Sequence, residues 1–527
     1  MNGRNYVIVG QPAATTAPGQ VFIFDIADPS YVPTAPATPT QTIVLPEIGE
    51  KVRSTPLVLQ NRWVVLQTDR RLLAYDLSPL PGAPVFKWSS ATLRADRASP
   101  ATGQMNRLQV GGYRVFALGD GKVVSIDPAI EGQGRAFEMD TALRADPNGQ
   151  ETFSCPAIGP LDPSDDLYAT GVNLLYCSTF SSSPGDHVFA VFSDNVARGE
   201  PARVVAWSTK LIVYPKVHSG TFTSPSVHST FSPLAGAVVV GGDDGGLYGL
   251  RNRTGITGDA VRRWVSPIRA GDCLSHTTAV THHGDILYYE EGAAVWQWRD
   301  AIDTAAYVDE LPLVADRPIW GAPAVDPYRF YVGTEGAQGE VGDGRQVIAV
   351  CYRQGGFREL NRTWVYRPAE RIADHWVRQE FRSTIAVNSD ATLLAVNDGF
   401  LFAIRPLRAD FNGDGCRNNF DVDAFALAIT DPDAWEQNYG APYGINRVGV
   451  GDCNGDGVVN NIDIDCFVDL VVADPRCVPE FLGPCPSGEP GGGESAARGE
   501  TGEPADDRDW AYFYATVAAL RALFDMD

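Results

Sequence analysis

The hydrophobic positions of the first four hundred residues form short apolar runs separated by turn residues. A recurrent phrase opens each group of runs, namely a small or hydroxyl residue, often a proline, and then an apolar strand, as in Ser54-Thr-Pro-Leu-Val58. It returns about every 45 to 70 residues, which is typical of an array of similar supersecondary units. Further copies are Ser154–Ile158, Thr223–Val227, His276–Val280, Gly321–Val325, Ser383–Val387 and, in a degenerate form, Met105–Val110.

Each opening is followed by two apolar runs around a tight turn, as in Trp63–Gln67 and Leu72–Asp76. Asp-Gly, Glu-Gly and Gly-Gly between such runs predict hairpins, because these residues tolerate the positive φ that tight turns require. A fourth run usually carries a tryptophan, and these are Trp88, Trp207, Trp264 and Trp364. Four antiparallel strands per repeat predict a mainly β fold in which each repeat is one blade of a β-propeller.

The repeats resemble the quinoprotein-like, or PQQ-like, propeller family, whose blades read Pro-Ala-Val, a Val-rich strand, Asp-Gly, Leu-Tyr-Ala-Leu-Asp and then a tryptophan. This resemblance assigns residues 1–406 to the propeller. Seven openings and a partial front unit, which contains Tyr6–Gly10, Val21–Asp25 and Thr42–Leu45, predict eight blades, with seven as the alternative. The front unit lacks an innermost strand, and the last unit, Ser383–Ile404, lacks an outermost strand.

Two similar twelve-residue segments, Asp410–Asp421 and Asp452–Asp463, follow the repeats, and each contains Asn-Gly-Asp-Gly. A calcium loop supplies side-chain oxygens from its first, third, fifth and twelfth positions and a carbonyl from its seventh. The glycines at the sixth position, Gly415 and Gly457, permit the required left-handed turn. The sequence therefore predicts two Ca²⁺ ions, whose ligands are Asp410, Asn412, Asp414, Cys416 and Asp421 in one loop and Asp452, Asn454, Asp456, Val458 and Asp463 in the other.

An amphipathic segment follows each loop, and its apolar spacing predicts a short helix over Asp421–Ile429 and over Asp463–Val472. Loop, helix, spacer, loop and helix together resemble a type I dockerin, a small α-helical module of the EF-hand kind, here assigned to residues 409–486. The resemblance implies a cohesin-like or cell-surface protein partner. Asn419-Phe420 and Asn461-Ile462 stand where the family often has a Ser-Thr pair for that contact, so a terminal cap without cohesin binding is the alternative.

Composition restricts the partners and the compartment. The formal net charge of −23 at pH 7 argues against binding nucleic acid through its phosphates, and it is compatible with calcium. Five of the nine cysteines lie within residues 416–485, which predicts one or two disulfides there, with buried free thiols as the alternative. These features favour an extracellular or periplasmic protein, and we expect the start as written to lie inside a longer secreted precursor.

The carboxyl-terminal residues divide into two parts. Residues 487–507 predict an acidic flexible linker. Residues 508–527 predict a helix that docks on its own protein or, alternatively, on a partner or surface. Arg521 interrupts this apolar stretch, which is too short to span a membrane, and no other segment reaches the about 18 apolar residues of a spanning helix.

The sequence leaves three functions to compare, namely two enzymes and a binding protein. A PQQ-dependent dehydrogenase lacks support, because the chain has no adjacent cysteine pair and no matching set of calcium ligands and catalytic base. A polysaccharide-degrading enzyme needs two carboxylates across the scissile bond, and none can be selected by pattern. His276, His282 and His283 lie near one opening without a triad signature. We therefore expect a non-catalytic propeller that binds a glycan, another ligand or a protein, joined to a tail for attachment or assembly; the two enzymes are the alternatives.

Overall fold

The protein is mainly β, with many small antiparallel sheets and few helices. Two compact units make up the chain, residues 1–291 with 298–307 and residues 292–297 with 308–527. The computed structural model describes residues 6–11, 16–25, 38–52, 54–60, 62–93, 99–104, 108, 113–119, 122–126, 135–140, 155–161, 168–178, 180–181, 188–192, 205–209, 219–220, 224–228, 234, 236–241, 247–251, 258–259, 261–265, 278–281, 284–289, 294–300, 305–312, 323–326, 329–334, 347–351, 361–366, 371–372, 375–376, 381, 384–388, 391–397, 400–404, 406–440, 445–453, 457–473 and 475–477.

The strands up to residue 312 are β1 (Tyr6–Gln11), β2 (Gln20–Asp25), β3 (Gln41–Val44), β4 (Leu57–Leu59), β5 (Trp63–Gln67), β6 (Leu72–Asp76), β7 (Val85–Ser89), β8 (Ala101–Gln104), β9 (Tyr113–Gly119), β10 (Lys122–Ile126), β11 (Arg135–Asp140), β12 (Ala157–Pro160), β13 (Asn173–Ser178), β14 (Phe180–Ser181), β15 (Val188–Phe192), β16 (Val205–Thr209), β17 (Ser219–Gly220), β18 (Ser226–Val227), β19 (Val238–Gly241), β20 (Leu247–Arg251), β21 (Gly258–Asp259), β22 (Val261–Val265), β23 (Ala279–Val280), β24 (Asp285–Tyr289), β25 (Ala294–Asp300) and β26 (Ala305–Pro312). The later strands are β27 (Ala324–Val325), β28 (Arg329–Gly333), β29 (Val347–Cys351), β30 (Asn361–Tyr366), β31 (Arg371–Ile372), β32 (His375–Trp376), β33 (Ala386–Val387), β34 (Leu393–Asn397), β35 (Phe400–Ile404), β36 (Cys416–Arg417) and β37 (Arg476–Cys477).

The predicted repeat of neighbouring antiparallel strands is confirmed. Four-stranded sheets follow the chain in the orders β4-β5-β6-β7, β8-β9-β10-β11, β18-β19-β20-β22, β23-β24-β25-β26 and β27-β28-β29-β30, and a five-stranded sheet has the order β12-β13-β15-β16-β21. The first sheet, β1-β2-β3, and the last, β33-β34-β35, each have three strands among the described residues. Eight such sheets therefore lie between residues 6 and 404, whereas the number of propeller blades stays a prediction.

Among the described residues, hydrophobic cores lie between several pairs of consecutive sheets, and the sheet of β4–β7 is covered on both faces. All ten residues of β5 and β6 are buried. Val64 and Leu66 pack against the sheet before them, whereas Val65 and Ala74 pack toward the sheet after them. A strand with two buried faces favours apolar residues on both faces, which explains why these strands read as apolar runs that only their last residues, Gln67 and Asp76, interrupt.

In four sheets the tryptophan of the fourth strand pairs in register with a small residue of the third strand. Immediately beside each such pair, the pairing of the third and fourth strands shifts register, as at a β-bulge. The pairs are Ala74 with Trp88, Ala190 with Trp207, Gly249 with Trp264 and Ala349 with Trp364. The predicted tryptophan-bearing fourth strands are therefore confirmed as β7, β16, β22 and β30.

A series of hydrogen bonds joins the openings of consecutive sheets. The backbone N–H of Thr55 donates to Ser99 Oγ (2.9 Å), that of Ser99 donates to Cys155 Sγ (3.2 Å), and that of Cys155 donates to Ser224 Oγ (2.8 Å). Each of these residues directly precedes a proline at the start of an inner strand. The small or hydroxyl residue of the recurrent phrase thus accepts a hydrogen bond from the preceding sheet.

The second of the seven openings differs from the sequence-based expectation. Met105–Val110 was expected to open that unit, and this interpretation is wrong because the first strand of the sheet is β8, preceded by Ser99-Pro100. Strand β8 has no large apolar residue. A Cβ on its Gly103 would lie 2.5 Å from Ile158 of the next inner strand, so close packing replaces the apolar side chain that the pattern required.

Short helices follow the last sheet. They are α1 (Val422–Thr430), α2 (Pro432–Trp435), a π-helical turn (Glu436–Gly440), α3 (Arg447–Gly451) and α4 (Ile464–Ala473). Both helices predicted after the two acidic loops are confirmed as α1 and α4. No helix of the described part of the chain is long and apolar enough to cross a membrane.

The close approach of inner strands can be tested at Gly159. A Cβ at this position would lie 2.2 Å from Val227 Cγ1 of the next inner strand. Gly159→Ala should lower the free energy of unfolding by about 1–3 kcal/mol, as overpacking does. Urea unfolding of the full chain measures this change.

Val227→Ala supplies the matched background, because it removes the clashing methyl groups. In that background Gly159→Ala should cost clearly less than in the wild type. Equal costs in both backgrounds would contradict the packing of these two inner strands.

Candidate metal centre

The first acidic loop turns around the carboxylate of Asp410. Oδ1 of Asp410 accepts the N–H of Gly413 (2.9 Å), and Oδ2 accepts the N–H of Gly415 (3.1 Å). Gly415 has a φ of 81°, which confirms the left-handed turn predicted for the sixth position. Because backbone N–H groups of the loop surround the Asp410 carboxylate, this side chain is held in place and is largely buried.

The twelfth residue closes the loop. Oδ1 of Asp421 accepts the N–H groups of Phe411 (2.8 Å) and Asn412 (3.1 Å), and Oδ2 accepts that of Asn418 (2.9 Å). The Asp421 side chain is fully buried. One carboxylate therefore joins the beginning of the loop to its end, through charge-assisted hydrogen bonds.

The second loop repeats this geometry where the structure describes it. Asp463 accepts the N–H of Cys453 at Oδ1 (2.8 Å) and that of Asn460 at Oδ2 (3.0 Å). Asp452 Oδ2 accepts the N–H of Gly457 (2.8 Å), whose φ is 87°. The corresponding positions of the two loops thus make the same contacts, whereas the predicted ligands Asn454 and Asp456 lie outside the described residues.

Asparagines at the ninth position cap two short 3₁₀ turns, Asn419–Asp421 and Asn461–Asp463, which lead directly into α1 and α4. Asn418 accepts the N–H of Phe420 (2.7 Å), and Asn460 accepts that of Ile462 (2.8 Å). Asp421 and Asp463 bond back to the backbone of these asparagines, which makes two capping boxes. The sequence analysis missed this role, although the repeated Asn-x-x-Asp spacing was its signal.

One hydrophobic core joins the two loop-and-helix halves. Phe425 of α1 and Phe467 of α4 occupy equivalent positions, and their rings stack with centroids 3.9 Å apart. Phe411, the second residue of the first loop, packs against both rings. Trp435 is fully buried and donates its indole N–H to the Phe411 carbonyl (3.2 Å), so part of the long spacer belongs to the core.

Disulfide-bonded cysteines lie in both loop-and-helix halves. Cys453 occupies the position that Phe411 has in the first loop, and it is bonded to Cys466 of α4. Cys416 is also disulfide-bonded, and it faces Cys477 across the short sheet β36-β37. The predicted disulfides in this region are therefore present in the structure.

The first loop concentrates negative charge. Burial, and then the carboxylate of Asp414, raise the pKa of Asp410 to about 7. Burial, and then the Asp410 carboxylate, raise the pKa of Asp421 well above its usual value. Carboxylates that hinder each other's ionisation in this way are stabilised in the charged form by a cation between them.

The donor set fits a hard cation such as Ca²⁺. Carboxylate oxygens come from Asp410, Asp414 and Asp421, an amide oxygen from Asn412, and a carbonyl from Cys416. In the described part of the chain, no three His, Cys, Asp or Glu side chains form a group that could hold an ion by themselves.

Other predicted features lie outside the described residues. These are His276, His282 and His283, the linker over residues 487–507 and the helix over residues 508–527.

Comparisons with known proteins do not assign the chain to a family. No protein-family model matches it, and no curated protein matches it. Among solved structures, BamB from Moraxella catarrhalis is 12% identical over 62% of this chain and 76% of its own, with a TM-score of 0.37. A functionally unknown protein from Desulfotomaculum acetoxidans is 11% identical over 66% and 92%, with a TM-score of 0.36. Sqt1 of Saccharomyces cerevisiae is 10% identical over 75% and 98%, with a TM-score of 0.48. Likenesses at this level establish no function.

The left-handed turn at Gly457 generates a prediction. A Cβ here would meet no atom within 4 Å, so only the backbone conformation opposes a side chain. Gly457→Ala should destabilise the loop by about 1–2 kcal/mol, whereas Gly457→Asn should cost less because asparagine tolerates this conformation better. Amide hydrogen exchange of α4 measures the difference. Equal costs for the two variants would contradict the assigned turn.

Proposed function

We propose that this chain is an extracytoplasmic calcium-binding protein whose dockerin-like tail holds two structural Ca²⁺ ions and serves attachment or assembly. Its β-sheets form a non-catalytic β-propeller that binds a protein or another ligand, with eight blades or, alternatively, seven. The ten predicted loop ligands hold the ions, five in each loop. One observation carries the proposal, namely the twin carboxylates Asp421 and Asp463, each buried and each bonded to both ends of its loop.

The burial of these carboxylates supports a structural role for calcium. A buried carboxylate is costly unless its charge is compensated. Hydrogen bonds from backbone N–H groups compensate part of this charge, and Oδ2 of Asp421, which accepts the N–H of Asn418, retains a further lone pair for a metal ion. Since the loops begin and end beside the shared aromatic core, a bound ion stabilises the helices together with the loop.

The packing of the sheets supports the propeller. In the first unit, consecutive sheets contact each other through their inner strands, and the series from Thr55 through Ser99 and Cys155 to Ser224 advances by one sheet at each step. Blades arranged around a central axis require such a succession.

The exposed end of the loops supports a protein partner. Phe420 and Ile462 occupy the eleventh positions of the two loops and are 70% and 65% exposed. These apolar side chains stand where a dockerin-like module would present polar residues to a cohesin, so the partner we propose is a cohesin-like or cell-surface protein with an apolar contact. The Cys453–Cys466 disulfide agrees with an oxidising, extracellular or periplasmic location.

Removal of calcium tests the structural role of the ions. A ligand that binds only the folded state stabilises that state, by about 2.7 kcal/mol at a hundred times its Kd. EDTA should therefore lower the melting temperature of the carboxyl-terminal module and leave the transition of the sheets nearly unchanged. Differential scanning calorimetry of the full chain measures both transitions. Identical profiles with and without chelator would refute bound calcium.

Substitution of the first loop residues tests the proposed ligands. Asp410→Asn with Asp452→Asn removes one carboxylate from each loop, and calcium affinity should fall at least about tenfold, since metal sites depend on ligand charge. Asp433→Asn is the control, because Asp433 is an exposed acid of α2 outside both loops. Isothermal titration of the full chain gives the affinities, and far-UV circular dichroism checks folding. An equal effect of the control would sink the ligand assignment.

A further inference from the structure

The first acidic loop contains a chemically reactive dipeptide, Asn412-Gly413. The backbone nitrogen of the glycine can attack Cγ of the asparagine, because glycine has no side chain to hinder the approach. The new N–Cγ bond closes a five-membered succinimide, the bond from Cγ to Nδ2 breaks, and ammonia leaves with the amide proton. Water then opens the ring at either carbonyl and leaves aspartate or isoaspartate. The net change is hydrolysis of an amide to a carboxylate and ammonium, and it requires no oxidant or cofactor.

Hydrogen bonds of the loop hold both reacting groups. The N–H of Gly413, which carries the attacking nitrogen, is buried and donates to Asp410 Oδ1 (2.9 Å). The side chain of Asn412 contacts Asp414 through both of its polar atoms, since Oδ1 accepts the backbone N–H (2.9 Å) and Nδ2 donates to Oδ2 (3.2 Å). For the nitrogen to lose its proton to solvent, and for the asparagine side chain to turn toward it, these bonds must break.

Closure of the loop maintains this arrangement. Asn412 also donates its own backbone N–H to Asp421 Oδ1 (3.1 Å), the carboxylate that joins the two ends of the loop. Asp410 and Asp421, which hold the reactive dipeptide through these backbone contacts, are also two of the proposed calcium ligands. Asn412 itself is only half-buried, so water reaches it once the loop opens. A cation that keeps the two carboxylates in place therefore keeps the dipeptide unreactive.

We propose that Asn412 is a deamidation site that the calcium-bound loop protects and that loss of calcium exposes. This inference rests on the calcium binding proposed above. Isoaspartate, the product with the peptide bond on the side-chain carbon, adds one carbon to the main chain between residues 412 and 413. The N–H groups of Gly413 and Gly415 are then displaced from Asp410, and the loop no longer closes around an ion. The modification thus converts a loss of calcium into a permanent loss of the first site.

Deamidation rates in the full chain test the proposal. The wild-type protein is incubated at mildly alkaline pH with calcium or with EDTA, and peptide mapping by mass spectrometry follows the appearance of aspartate and isoaspartate at residue 412. Since only the open loop reacts, the rate should be at least about tenfold higher with EDTA. Asn148-Gly149, the same dipeptide outside both loops, is the internal reference and should react equally fast in both samples.

A variant opens the loop while calcium is still present. Asp421→Ala removes the carboxylate that binds the N–H of Asn412, and it should deamidate at residue 412 as fast as the wild type does with EDTA. Asp433→Ala, at an exposed acid of α2 outside both loops, is the matched control and should keep the slow rate. Far-UV circular dichroism checks the folding of both variants, and the wild-type samples decide the outcome if Asp421→Ala does not fold.

Equilibrium dialysis of the same wild-type protein against calcium separates this inference from the proposed function. If calcium is bound and the chelator leaves the rate at residue 412 unchanged, this inference is overturned and calcium binding stands. If no calcium is bound, the proposed function fails, and the calcium dependence of the deamidation fails with it. Equal rates in folded Asp421→Ala and Asp433→Ala would overturn the protection by loop closure.

Discussion

The hydrogen bonds accepted by Asp421 and Asp463 are the interaction on which the carboxyl-terminal part of the structure depends. Each carboxylate joins the second and ninth residues of its loop, and it directly precedes a helix, α1 or α4. The helices in turn place Phe425 and Phe467 in a stack at the centre of the core. Loop closure, helix initiation and core formation are therefore coupled. The cost of this arrangement is buried negative charge, and a calcium ion in each loop would offset it.

The sheets depend on a different constraint, the absence of a free face on their inner strands. Where a sheet packs against neighbours on both faces, a larger or smaller side chain on its inner strands disturbs the packing of the neighbouring sheet. Gly103 and Gly159 allow two inner strands to approach the next ones closely. In four sheets a tryptophan of the outer strand pairs in register with a small residue, and a register shift, as at a β-bulge, lies beside each pair.

The pattern of apolar runs and turn residues predicts most strands. Strands that are buried on both faces appear in the sequence as apolar runs, and the turn residues between them mark the hairpins. It fails at β8, where Gly103 and its neighbours pack through backbone proximity and carry no apolar signal. Loop spacing predicts the left-handed glycines of the candidate site, and the apolar spacing of the segment after each loop predicts the helices. It does not predict that Cys453 pairs with Cys466, because five clustered cysteines allow several pairings and only their positions in the fold select among them. The sequence does not predict the burial of Trp435 either, because the apolar residues of the spacer have no regular spacing.

The most direct test of calcium binding is the number of ions bound per chain. Equilibrium dialysis of the full chain against calcium from micromolar to millimolar concentrations, followed by elemental analysis, gives this number without assumptions about stability. Two similar loops with the same internal hydrogen bonds predict saturation at two ions per chain. A chain that binds no calcium at millimolar concentration would contradict the account.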